Sequence, residues 1–329
     1  MSNNLLKNFF PHYREGFGDS FVFHDMQSLL KEAEKAEELR PYSISSGSWV
    51  GRDFSDMESG HTMRGAFEGV KAPSQQDIDL VKAMSESLSP FFGKIGIKSI
   101  ANEMKWQERR GRVSARKLLT GESRYRRGRK KVKDSFNGGV FTIVVDIGGN
   151  SGVKPIDLFW RASSALACAE VLEKLGYRVN IWGATNGTGV RRRTEGRPET
   201  NMEVCWKVKD AKQPFNIGTC SAGLSSWFFR SVCFQLWHRY NTCHSGLGSS
   251  RAVSIEQAKL LTGDDDALLM TANPHGSKAR QRAIESMVYL LQTAGVLEND
   301  DEALSQLDLE EGTSYWQERI DNLQNERRY

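Results

Sequence analysis

Residues 138–146, GGVFTIVVD, form an unbroken apolar and β-branched run that ends in an acid and is followed by further glycines. Successive side chains of a strand face opposite sides, so a strand without polar alternation needs both faces covered. The run predicts a central strand between helical layers, with a loop at its carboxyl end. Residues 155–175, PIDLFWRASSALACAEVLEKL, open on Pro and close before Gly176, which predicts an amphipathic helix, and residues 177–184 predict a second strand. Strand, helix and strand in this order make a right-handed crossover between parallel strands.

The alternation continues downstream. Residues 202–208 read as a strand, 221–240 as an apolar helix, 267–271 (ALLMT) as a short buried strand, and 277–294 as a helix stopped by Gly295. Residues 136–295 are therefore expected to form a doubly wound, mostly parallel α/β domain. Sixteen Phe and eight Trp supply the bulk for such a core. Residues 1–104 are expected to be a partly helical extension. Within it, 25–40 predicts a helix with Asp25 as N-cap and Pro41 as stop, and 74–87 predicts a second. Phe9, Phe10, Tyr13, Phe17, Phe21 and Phe23 make its start strongly aromatic, which suggests docking on the chain's own core or on a neighbouring subunit.

Between the two regions, 105–135 is set apart by charge. Residues 105–133 hold thirteen Lys and Arg against Glu108 and Glu122, a net +11 in a chain of +4. The cations are Lys105, Arg109, Arg110, Arg112, Arg116, Lys117, Arg124, Arg126, Arg127, Arg129, Lys130, Lys131 and Lys133. Such a stretch repels itself, and its natural partner is a polyanion, above all a phosphate backbone. Trp106 and Tyr125 stand among the cations, where unpaired bases would stack on them. The alternative is a solvated, helix-forming linker with no ligand. Arg191, Arg192 and Arg193, with Arg197, form a second cluster that would extend the same cationic track. Arg outnumbers Lys in both places, which suits stacking and bidentate phosphate contacts. The acidic tail, 296–329, has a net charge of −7. It would compete with nucleic acid for the track, present a docking peptide, or simply aid solubility.

Signs of catalysis are scarce. The loop 146–152, DIGGNSG, stands where α/β sheets bind ligands, yet neither GxxxxGK[ST] nor GxGxxG occurs there, and the later glycine-rich stretch 183–190, GATNGTGV, read as a loop, also lacks the phosphate-loop lysine. No GxSxG or HExxH is present, and Asp264, Asp265 and Asp266 read as a turn and cap. Five cysteines without a CxxC pair argue against a disulfide framework. Cys233, His238, Cys243 and His244 have zinc-ligand chemistry without the paired spacing of a zinc site, and buried thiols are the simpler reading. The expectation is a non-enzymatic protein without a cofactor. No apolar stretch is long enough to span a membrane, and the N-terminus lacks the signal-peptide pattern, so a cytoplasmic location is expected.

The segment VVDIGGNSGVKPIDLFWRASSALACAEVLEKLGYRVNIWGAT resembles the first strand, helix and second strand of von Willebrand factor A-like domains. The metal-dependent adhesion site of that family begins with DxSxS. Here Asp146 matches the acid while Gly148 and Asn150 replace the two serines, and Thr271, Ala272 and Asn273 stand where the family has TDG. The resemblance therefore implies a von Willebrand A-like fold with a degenerate metal site, since a hard divalent cation needs several oxygen ligands. One role this implies is an interaction module working with an ATPase partner. The basic arm, the VVDIGGNSG turn and the acidic end together resemble Drc, a family of single-stranded-DNA-binding RNA polymerase cofactors of podoviruses. That likeness implies a protein that coats or melts DNA as a homo-oligomer in the host cytoplasm and recruits a phage RNA polymerase.

Overall fold

The computed structural model describes residues 13–15, 19–39, 70–71, 75, 78, 104–107, 112–113, 126–129, 139–149, 153, 155–174, 176–189, 200–239, 250–271 and 279–293. Their centre is a mixed α/β sheet of von Willebrand A-like type. Strand β6 (Val140–Asp146) lies between β7 (Arg178–Gly189) and β10 (Leu268–Met270), parallel to both. Strand β8 (Thr200–Lys209) pairs antiparallel with β7, as does the two-residue β9 (Ser250–Arg251). From Ile143 to Asp146 every residue of β6 is buried, as its uninterrupted apolar sequence requires.

The sheet extends beyond the region expected to hold it. Strand β2 (Asp19–Phe23) pairs in parallel with β8, and β1 (Tyr13–Glu15) pairs antiparallel with β2. Helix α1 (Met26–Leu39) follows, with the Asp25 carboxylate accepting the Ser28 N–H at 2.7 Å as the predicted N-cap. Met26, Leu29, Leu30, Ala33 and Ala36 make one buried stripe along it. Each buried Leu contributes about 1.5–3 kcal/mol, so this N-terminal piece is held to the sheet as part of one core. The aromatic start thus docks on the chain's own core through Phe21 and Phe23. The α/β unit is not confined to 136–295. Of the second predicted helix, Gln75 and Ile78 are helical and the remainder lies outside the described residues.

Helix α2 (Pro155–Lys174) has the expected bounds but not the expected amphipathicity. From Asp157 to Ala169 only Phe159 is partly exposed. The reason is a second helical layer: α3 (Ile217–Gly223), α4 (Ser226–Phe228) and α7 (Ala279–Thr293) pack against α2 while it rests on β6 and β7. The apolar stretch at 221–240 is broken rather than continuous. Ser225 caps α4 through the Phe228 N–H, a π-helical turn follows at Phe229–Cys233, and α5 (Phe234–Arg239) completes it. On the opposite face of the sheet lies α6 (Ile255–Thr262), opened by a Ser254–Gln257 capping box and ended at Gly263 in the left-handed region, φ 70°.

The glycines of GATNGTGV are strand residues rather than a loop. A Cβ on Gly183 would stand 2.5 Å from the Trp206 ring, and one on Gly187 would stand 2.7 Å from Trp237. Both tryptophan rings approach the strand this closely because no side chain intervenes.

Candidate functional site

Two places carry the functional reading: the carboxyl end of β6 and a separate basic sheet. Asp146 ends β6 and is 1 % exposed. Its Oδ1 accepts the Gly148 N–H at 3.0 Å, and its Oδ2 accepts the Val253 N–H at 3.4 Å. Arg161, projecting from α2, places Nη1 3.4 Å from the same Oδ2 and also donates to the carbonyls of Asp146 and Gly148. Burial raises the Asp146 carboxyl above its ordinary range, against the opposing pull of Arg161 and the two N–H donors. Burial likewise lowers the Arg161 guanidinium, opposed by Asp146 and Asp157. A second buried arginine, Arg230 in the π-helical turn, donates to the Val153 carbonyl at 2.6 Å, and burial lowers it to about 10. Two guanidiniums therefore hold the loop after β6 by its carbonyl oxygens.

This donor set does not fit a divalent cation. The Asp146 oxygens already face an arginine and two backbone N–H groups, and Gly148 offers no hydroxyl. Thr271 follows β10 as expected, but it is exposed and its carbonyl accepts the Ser286 hydroxyl at 2.9 Å. Asn150, Ala272 and Asn273 lie outside the described residues. The site predicted from sequence to be degenerate is filled by the protein's own cation. Arg161 is the residue that sequence reasoning missed. Its signal is the single charged residue in 158–169, an arginine four residues after Asp157.

The basic arm is not helical where it is described. Strands β3 (Met104–Gln107), β4 (Arg112–Val113) and β5 (Arg126–Arg129) form a three-stranded antiparallel sheet in the order β3-β5-β4. The register sets Trp106 opposite Arg127, and Arg127 opposite Arg112. Lys105 stands opposite Gly128, and Arg129 opposite Met104. Trp106, Arg127 and Arg112 are thus successive Cα partners in one rank across the three strands. The other predicted contacts in the arm, Arg109, Arg110, Arg116, Lys117, Arg124, Tyr125, Lys130, Lys131 and Lys133, lie outside the described residues. So do Arg191, Arg192 and Arg193, in the connection between β7 and β8.

Residues 11–297 match the sequence profile of the family described as Domain of unknown function (DUF7192). The chain belongs to that family. The matched span takes in the basic sheet, the Asp146 turn and α7, and leaves most of the acidic tail outside. No curated protein and no solved structure matches.

Within this DUF7192 span a further buried polar cluster joins three elements of the fold. Glu203 on β8 is 1 % exposed and accepts the Ser20 hydroxyl at 2.8 Å and the Gln257 side-chain amide. Strands β2 and β8 and helix α6 meet there. Glu203 alternates with Cys205 and Lys207 along β8, and Gln257 of α6 reaches it from above that face. Of the four residues with zinc-ligand chemistry, Cys233 is buried with its thiol pushed well up by burial, His238 lies in α5, and Cys243 and His244 lie outside the described residues. Among the described residues no group of His, Cys, Asp and Glu could hold a metal ion, and no helix is long and apolar enough to cross a membrane.

Proposed function

We propose that this chain is a non-enzymatic single-stranded nucleic-acid-binding protein whose basic sheet contacts phosphates with arginine and bases with Trp106. The observation that carries the reading is the rank of Trp106, Arg127 and Arg112. Like charges directly opposite on neighbouring strands destabilise a sheet by about 0.2–1 kcal/mol, a cost that a bound phosphate reverses. An aromatic in the same rank adds a face for an unpaired base, which duplex DNA does not offer. The DNA-coating, self-associating polymerase cofactor implied by the Drc resemblance is the biological setting this chemistry would serve. The test is a gel shift of the full chain with single-stranded DNA, duplex DNA and RNA, beside a variant with Arg126, Arg127, Arg129, Lys130 and Lys131 changed to Ala. Preference for single strands and loss in the variant are expected, and equal affinity of the two proteins removes the proposal.

The strand order favours a second reading, a von Willebrand A-like interaction module for an ATPase partner. Strands β8, β7, β6 and β10 lie side by side with the Asp146 turn at the end of β6. With Arg161 in the cation's place, such docking would be independent of magnesium, and a pull-down in EDTA separates it from adhesion through a metal.

A further inference from the structure

Strand β10 ends the main sheet among the described residues, and its pairing with β6 fixes which backbone groups it turns outward. The Gly139 carbonyl accepts the Arg178 N–H at 3.2 Å, and the Ile147 N–H donates to the Ala184 carbonyl at 3.0 Å. Odd-numbered residues along β6 therefore face β7 with their backbone groups, and even-numbered ones face β10. Val144 pairs with Leu269, so its N–H and carbonyl are met by Leu268 and Met270 on either side. Leu269 is left with both its N–H and its carbonyl directed away from the sheet. The next outward groups are partly taken. The Ala267 N–H donates to the Asp264 carbonyl at 3.2 Å, and the Thr271 carbonyl accepts the Ser286 hydroxyl at 2.9 Å.

This edge opens into a groove of about 750 Å³ with a mixed lining. Val140 and Tyr289, 56 % and 68 % exposed, give it apolar surface beside Leu269. Lys259 on α6 and the acids Asp265 and Asp266 ahead of β10 give it both signs of charge. Apolar area mixed with opposite charges is the composition of a surface where proteins meet, and an outward strand edge is where another strand adds.

The order of free and taken groups selects the occupant. In an antiparallel pair about a two-fold axis, Leu269 of one chain stands opposite Leu269 of the other, and the two exchange both hydrogen bonds. Ala267 then stands opposite Thr271 of the other copy. The taken N–H meets the taken carbonyl, so no hydrogen bond is forfeited on either chain. The two-fold also reverses the groove end for end, which turns the acids at the amino end of one β10 towards the other copy's α6 with its Lys259.

We propose that this protein pairs with a second copy of itself through β10, the two Leu269 residues exchanging backbone hydrogen bonds so that one sheet runs through both chains. The proposal does not rest on nucleic-acid binding.

Two measurements on the full chain, freed of nucleic acid, test it. Sedimentation across a concentration series should show a dimer, and amide hydrogen exchange resolved by residue should show the Leu269 N–H protected in the dimer and fast on dilution. Leu268 and Met270 should stay protected throughout, because β6 holds them. Leu269→Pro removes only an outward N–H, which an edge strand tolerates, and should give a folded monomer. Should that variant fail to fold, Tyr289→Glu, at an exposed position, decides by weakening association about tenfold or more. A chain that stays monomeric overturns the proposal, as does a dimer whose Leu269 amide exchanges freely or whose association Tyr289→Glu leaves unchanged. Protection of Leu269 that is independent of concentration overturns it in favour of a segment of the same chain.

Discussion

Arg161 Nη1 lies 3.4 Å from Asp146 Oδ2, with both side chains buried at the end of the central strand. The pair links α2 to β6, and the same carboxylate reaches on to Val253 ahead of α6. Helices on both faces of the sheet are thereby tied to one acid. Breaking a buried pair from one side leaves an uncompensated charge and costs about 3–5 kcal/mol. Arg161→Met should therefore lower the urea midpoint by that equivalent. Adding Asp146→Asn should restore part of the loss, and magnesium should restore none. Full additivity of the two substitutions would show that the residues do not act as a pair.

Glu203 gives the protein a pH dependence of definite sign. Burial raises its carboxyl, opposed by the Ser20 and Gln257 hydrogen bonds. Unfolded, it titrates near its ordinary value of about 4.3. Between that value and its higher folded value the native state holds the extra proton, so stability falls as pH rises through the window and is flat above it. Asp146 acts in the same direction. Glu203→Gln should remove part of the slope in denaturation midpoints measured from about pH 4 to pH 8. An unchanged slope would place the titration elsewhere.

Gly183 and Gly139 offer a matched comparison. Trp206, whose ring a Cβ at 183 would strike, is pinned by its own Nε1 donating to the Gly223 carbonyl at 3.0 Å. The ring cannot give way without losing that bond. A Cβ at Gly139 meets nothing within 4 Å. Gly183→Ala should destabilise by about 1–3 kcal/mol and Gly139→Ala by far less, read as thermal shifts.

The same glycines mark the limit of what sequence conveys. Local pattern is enough for the extents of β6, α2 and α7, although the near-complete burial of α2 depends on the second helical layer. It misread 183–190 as a loop because glycine weakens a strand in isolation, and only the distant Trp206 and Trp237 make it necessary. Parallel pairing of β2 with β8 joins residues 183 positions apart, as the Ser20–Glu203 bond does, and no local pattern encodes that. The metal-site departure was legible at Gly148, but its replacement by Arg161 depends on where α2 crosses β6.

The rank in the basic sheet separates two kinds of contact by their response to salt. Each phosphate neutralised on a single strand contributes about −0.7 to the slope of log K against log salt. If Arg127 binds phosphate, Arg127→Ala should weaken binding and flatten the slope by about that amount. Trp106 carries no charge, so Trp106→Ala should cost about 1–3 kcal/mol of stacking while the slope stays as it was. It should also lose more on a base-bearing strand than on an abasic one. A Trp106 variant that lost slope instead of base dependence would mean that the substitution disrupts the sheet and, with it, the arginine opposite.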